Sequence, residues 1–137
     1  MNKYIVTTTI NQPTEATLKF CEIALKDNWT FVVVGDLKTP HESYRSLVDK
    51  YQGHVVYLDP QIQEELYPEL SDTIGWKSIQ RRNIGFVYAY NKGCDVLATV
   101  DDDNIPYDNW GSNYICQEIE LDLYSNLSCN YFDPIHR

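Results

Sequence analysis

Short apolar runs alternate with helix-spaced segments along most of the chain. Lys3–Ile10 opens with Tyr4-Ile5-Val6 and then becomes threonine-rich, the pattern of a buried strand that turns polar at its carboxyl end. After Pro13, Thr14–Lys26 carries Leu18, Cys21 and Leu25 at helical spacing, and Asp27-Asn28 breaks it. Thr30–Val34 is a second apolar strand, closed by Gly35-Asp36. Thr39-Pro40-His41-Glu42 is a helix start: Thr39 can cap, Pro40 suits the first helical position, and Glu42 stands where a capping box wants a carboxylate. This helix is expected to bury Tyr44, Leu47, Val48 and Tyr51 and to end at Gly53, before a third strand, His54–Leu58. Asp59–Thr73, interrupted by Pro60 and Pro68, reads as a loop or a broken helix. Ile74–Lys92 reads as one long helix, with Ile79, Phe86, Val87 and Tyr90 on its apolar side and Gly93 at its boundary. Asp95–Val100 is a fourth strand that runs straight into Asp101-Asp102-Asp103-Asn104.

Strands alternating with helices predict a three-layer α/β fold, a mainly parallel sheet with helices on both faces. Such sheets bind ligands beyond the carboxyl ends of their strands, often where the strand order reverses. Polar residues close three of the four predicted strands: Thr7-Thr8-Thr9, Gly35-Asp36 and Asp101–Asn104. Right-handed crossovers would bring those ends to one edge of the domain.

Composition narrows the possibilities. With 137 residues, 43% of them hydrophobic, the chain can bury one core, and its 23% charged content without low-complexity tracts argues against disorder. A net charge of −9 weighs against a nucleic-acid binder, which would present a basic face. It leaves room for a phosphorylated ligand, since a metal ion and a few basic side chains can neutralise a diphosphate locally. Met1-Asn2-Lys3 and the short apolar run after it do not make a signal peptide, and no stretch approaches the roughly 20 apolar residues of a membrane span. A cytoplasmic location is therefore expected, with a Golgi-type lumenal origin still open if the chain is a fragment. Cys21, Cys94, Cys116 and Cys129 form no C-x-x-C pair and are expected to be reduced, mostly buried thiols.

The acidic run is the first candidate site. Consecutive carboxylates repel one another unless a cation is near, and hard ions such as Mg²⁺ or Mn²⁺ take one or two carboxylates plus water and phosphate oxygens. In an extended run Asp101 and Asp103 point one way and Asp102 the other, so Asp101 and Asp103 would share the metal. The alternative is a solvated acidic turn, which the position directly after a buried strand disfavours. Lys77, Arg81 and Arg82 supply positive charge, and guanidinium forks suit phosphate oxygens or a base carbonyl; a solvated helix face is the plainer reading. Asn83 and Gly85 are poor formers of a helix interior and call for a packing or ligand reason. Asp36 can accept from ribose hydroxyls or a base imide, or equally cap the next turn. Thr7, Thr8 and Thr9 can donate to a base or ribose, or owe their place to β-propensity alone. His41, His54 and His136 have no mutual metal-ligand spacing, and the usual phosphate-loop motifs are absent.

The apolar strand closed by Gly35-Asp36, the segment Arg82-Asn83-Ile84-Gly85 and the strand ending in Asp101-Asp102-Asp103 together resemble GT-A glycosyltransferases. More specifically, Trp29–Pro40, Arg82–Ala89 and Asp101–Asn104 resemble the STELLO-like glycosyltransferase group, over about residues 3–110. The resemblance implies a Rossmann-like donor domain (residues 1–110), a nucleotide-diphospho-sugar donor of the UDP-sugar type, and Mn²⁺ or Mg²⁺. By position it places Thr7–Thr9 and Asp36 on the base and ribose, Arg82 on the base or diphosphate, Asp101 near the ribose or metal, and Asp103 as main metal ligand. Residues 111–137 would begin an acceptor-side segment, and the remaining half, with its glycan, protein or lipid acceptor, would lie beyond Arg137 or on a partner chain. No residue stands out as catalytic base. Two other readings stay open: a non-catalytic nucleotide-sugar-binding module, and a nucleotidyltransferase or acidic-cluster phosphatase on a similar sheet.

Overall fold

The computed structural model describes residues 1–111 of the chain. Expectations for Cys116, Cys129, His136 and the acceptor-side segment after Gly111 lie outside the described residues.

Four strands, β1 (Lys3–Thr9), β2 (Trp29–Gly35), β3 (Val55–Leu58) and β4 (Val96–Thr99), form one all-parallel sheet in the order β3-β2-β1-β4. The central strand β2 is buried on both faces, which is why Phe31–Val34 reads as an unbroken apolar run rather than an alternation. Helices α1 (Glu15–Asp27) and α2 (His41–Lys50) pack on one face, where Phe20, Cys21, Tyr44 and Leu47 meet Ile5, Phe31 and Val33. Helices α3 (Pro60–Leu66), α4 (Pro68–Ile74) and α5 (Arg82–Asn91) cover the other face, over Val6, Val32, Val34 and Leu58. The fold is thus three-layer α/β and Rossmann-like. The connection from β3 back to β4 reverses the direction of travel across the sheet, and a constant crossover hand then requires the change of face. Among the described residues, no helix is long and apolar enough to cross a membrane.

Several local expectations need correction. In α1 the buried stripe runs through Ala16, Phe20, Ile23 and Ala24 beside Cys21, while Leu18 and Leu25 are exposed. The stripe anchored on Phe20 buries more aromatic surface than one centred on two leucines. Thr14 caps α1 by accepting from Thr17 N. Thr39 does not cap α2: Pro40 holds that position, and the Thr39 hydroxyl turns inward, accepting from Asp36 N at 2.8 Å and donating to Thr9 O at 2.7 Å. The Asp59–Thr73 segment is the broken helix, with Asp59 capping α3 and Pro60 and Pro68 each opening a short helix.

The expected long helix Ile74–Lys92 does not form. Helix α4 stops at Ile74, Gly75 and Lys77 take positive φ, a single 3-10 turn covers Ile79–Arg81, and α5 begins only at Arg82. Ile79 and Tyr90 are exposed, and Ile84, Gly85 and Ala89 form the buried stripe instead. Gly85 has the packing reason its sequence position called for. A Cβ there would overlap Val6 Cγ1 and reach 2.9 Å from Val34 Cγ2, so its absence lets α5 lie directly on the sheet.

Candidate functional site

The carboxyl ends of all four parallel strands share one edge, and the chain reverses its direction of travel between β1 and β4. At that edge a cavity of about 370 Å³ opens, within the usual size range of small-molecule sites. Its walls come from four places: Thr8–Asn11 at the end of β1 and just past it, Asp36 and Lys38 after β2, Lys77–Ile79 before α5, and Asp102 after β4.

Asp36 organises the wall opposite β1. Its carboxylate accepts from Leu37 N at 2.6 Å and Lys77 N at 3.0 Å through Oδ1, and from Ser78 N at 3.1 Å through Oδ2. Burial pushes its pKa up, but these backbone donors and the nearby Arg81 guanidinium outweigh it, and the carboxyl is held below its usual range. The two alternatives weighed for Asp36 are therefore compatible: it ties together two turns, and Oδ2 keeps a lone pair while the residue lines the cavity.

The threonines separate by their distance from the carboxyl end of β1. Thr8 Oγ1 donates to Val34 O at 2.9 Å and Thr9 Oγ1 donates to Asp102 Oδ2, both on the cavity wall. Thr7, further back in β1, is buried, its hydroxyl without a hydrogen-bond partner, and it does not line the cavity.

The acidic run is not extended, because β4 ends at Thr99. The alternation that would pair Asp101 with Asp103 therefore fails. Asp102 points into the cavity rim, held by Thr9 and by Asn11 Nδ2 at 3.2 Å, and its carbonyl accepts from the Thr14 hydroxyl. Asp101 turns to Arg82, with Nη2 to Oδ1 at 2.6 Å. Asp103 is exposed and accepts from Asn104 Nδ2 at 3.3 Å. Asp101 and Arg82 line a neighbouring hollow of about 430 Å³ together with Asn104, Tyr107 and Trp110, so the acidic run divides two depressions. Among the described residues no group of three His, Cys, Asp or Glu side chains could hold a metal ion. A divalent ion here would rest on one or two carboxylates, with water and ligand oxygens completing its shell, a donor set that suits Mg²⁺ or Mn²⁺.

Arg81 is the largest departure from the sequence reading. It is fully buried, and its guanidinium makes five internal hydrogen bonds, to Gln63, Ser71 and Gly75. No donor is left for a ligand. Sequence reasoning also missed Lys38, Ile10, Asn11, Ser78 and Ile79 as lining residues. Their one shared signal is a place just past a strand end or just before a helix, in loops without periodicity.

Thr8, Thr9, Asp36, Lys77 and Asp102 are thus brought together, Arg82 and Asp101 stand next door, Asp103 faces solvent, and Thr7 and Arg81 lie inside the fold. Comparison with known protein families and with curated proteins finds no match for the chain.

Proposed function

We propose that this chain binds the nucleotide-diphospho-sugar donor, of the UDP-sugar type, of a metal-dependent glycosyltransferase. One observation carries the reading: Thr8, Thr9, Asp36, Lys77 and Asp102, distant in sequence, line a single cavity at the carboxyl edge of a parallel sheet. The order of strand end, Asp36, Arg82-Asn83-x-Gly85 and acidic run is also that of the GT-A pattern.

In this reading Ile10 and Ile79, both exposed at the cavity, offer apolar surface to the faces of a base. The free lone pair of Asp36 accepts from a ribose hydroxyl or base imide. The Lys38 and Lys77 ammonium groups, without an ion-pair partner among the described residues, meet phosphate charge. Asp103, exposed at the end of the acidic run, would be the main ligand of Mn²⁺ or Mg²⁺, with Asp101 joining it only where the ion displaces Arg82; the ion would supply a Lewis acid to the departing diphosphate. Asp102, anchored by Thr9 and Asn11, fixes where its two neighbours stand. The acceptor, a glycan, protein or lipid, would be bound outside residues 1–111 or by a partner chain.

Calorimetric titration with UDP in the presence and absence of Mn²⁺ tests the proposal. Metal-dependent binding that Asp103→Ala abolishes is expected; binding indifferent to both would overturn it. Turnover of a UDP-sugar then separates a transferase from a non-catalytic binding module, and pyrophosphate release from a nucleoside triphosphate would indicate a nucleotidyltransferase instead.

A further inference from the structure

The five hydrogen bonds of Arg81 fasten a particular piece of chain. Gln63 Oε1 accepts from Nε at 3.0 Å and Nη2 at 2.6 Å; Ser71 O and Oγ accept at 3.0 Å each, and Gly75 O at 3.3 Å. Gln63 is itself fully used, because its Nε2 donates to Gly35 O at 2.8 Å and Leu58 O at 2.7 Å. Those carbonyls sit at the carboxyl ends of β2 and β3. The guanidinium also stacks 3.8 Å from the centroid of the Trp76 ring. Gln63, Ser71 and Arg81 are all buried, in a network whose donors and acceptors are matched.

The segment between Gly75 and Arg81 is therefore clamped at both ends by Arg81 and in its middle by Asp36, through Lys77 N and Ser78 N. Lys77 has φ of 58°, a left-handed conformation that a residue with a side chain keeps only where its surroundings over-determine it. The same short segment supplies Lys77, Ser78 and Ile79 to the cavity. A buried guanidinium without a directly bonded carboxylate is a costly way to fill space, since an apolar side chain would pack there without the desolvation penalty. Its return here is geometric: a planar fork fixes acceptors on three separated residues at once.

We propose that Gln63 and Arg81 are positioning residues, which hold Lys77–Ile79 as a preformed wall of the cavity. A nucleotide then meets Lys77, Ser78 and Ile79 already in place and orders nothing on arrival. The benefit to binding rests on reading the cavity as the nucleotide site; the clamp itself does not.

Amide hydrogen exchange by NMR and UDP–Mn²⁺ calorimetry test the two parts separately on the full chain. Gln63→Ala is compared with Leu47→Ala, a core substitution on the opposite face of the sheet, and with Ser71→Ala, which removes one of the five bonds and keeps the fold if Gln63→Ala does not. In Gln63→Ala, exchange at the Lys77 and Ser78 amides should quicken by about tenfold or more and UDP affinity fall by about tenfold. Ser71→Ala should move the same amides less, and Leu47→Ala should leave both amides and affinity near wild type. Unchanged exchange at Lys77 and Ser78 in both network variants, or an equal rise in Leu47→Ala, overturns the clamp. Faster exchange with undiminished UDP affinity overturns the positioning role. If the wild type binds no UDP, the nucleotide reading fails, while the exchange comparison still decides whether Gln63 and Arg81 hold the wall.

Discussion

Asp36 Oδ1 lies 3.0 Å from the amide nitrogen of Lys77, a bond that joins the end of β2 to the far wall of the cavity. The same carboxylate reaches Ser78 N and Leu37 N, so one buried acid fixes two turns at once. Its folded pKa is below the ordinary 3.8. The unfolded chain therefore binds the proton first. The stabilisation is complete above the ordinary value and is lost as pH falls through the lower folded one. Urea unfolding followed from about pH 7 to about pH 2 should show this acid loss, and Asp36→Asn should flatten that part of the profile while lowering stability at neutral pH. An acid limb of the same shape in the variant would remove Asp36 from the account.

Gly85→Ala tests the close approach of α5 to the sheet. Alanine is the better helix former, so propensity alone predicts stabilisation. The added Cβ collides with Val6 and Val34, however, and β-branched side chains in a packed sheet have little room to yield. We expect a net loss of about 1–3 kcal/mol in thermal or urea unfolding. A gain would mean that helix and sheet separate more easily than their packing implies.

The acidic run should respond unevenly to alanine substitution. Asp103 is exposed and is held by a hydrogen bond from the adjacent Asn104, so Asp103→Ala should leave the melting temperature near wild type while removing the Mn²⁺ dependence of UDP binding. Asp102→Ala strips the partners from Thr9 and Asn11 and should cost about 1–2 kcal/mol of stability as well as affinity. Equal effects on stability would contradict the different anchoring of the two side chains.

Cys21 is buried on the core-facing side of α1, and burial pushes its pKa up to about 12. At neutral pH it is a thiol without nucleophilic thiolate. Alkylation mapped by mass spectrometry should leave Cys21 unmodified in the folded chain and label it on unfolding, whereas the partly exposed Cys94 is within reach of reagent throughout.

The strands, their parallel direction and the edge that gathers Asp36 and the acidic run are legible in residue patterns, because an apolar run as short as Phe31–Val34 between turn residues fits a strand buried on both faces; the order β3-β2-β1-β4 is not. The break in the helix over Ile74–Lys92 is not legible in the same way. Gly75, which caps α4 with positive φ, is a turn signal inside that stretch, but the second left-handed residue, Lys77, carries none, and the apolar spacing resumes beyond it. Arg81 escapes a sequence reading for a related reason. Arg81 and Gln63 each look like surface residues, and only the fold reveals that they satisfy one another inside. The pairing of Asp101 with Asp103 assumes an extended backbone, whereas the strand ends two residues before Asp101.

The ring contact beneath Arg81 also makes the chain its own optical instrument. Trp76 lies against a cation, one residue before the segment that lines the cavity, while Trp29 and Trp110 sit with ring centroids 5.2 Å apart in the core on the other side of the sheet. Indole emission is sensitive to a neighbouring charge and to solvent, so the two environments give spectrally separate signals. With Trp29 and Trp110 replaced by phenylalanine, the remaining fluorescence would follow one segment alone, from which attachment and release of the wall could be timed directly.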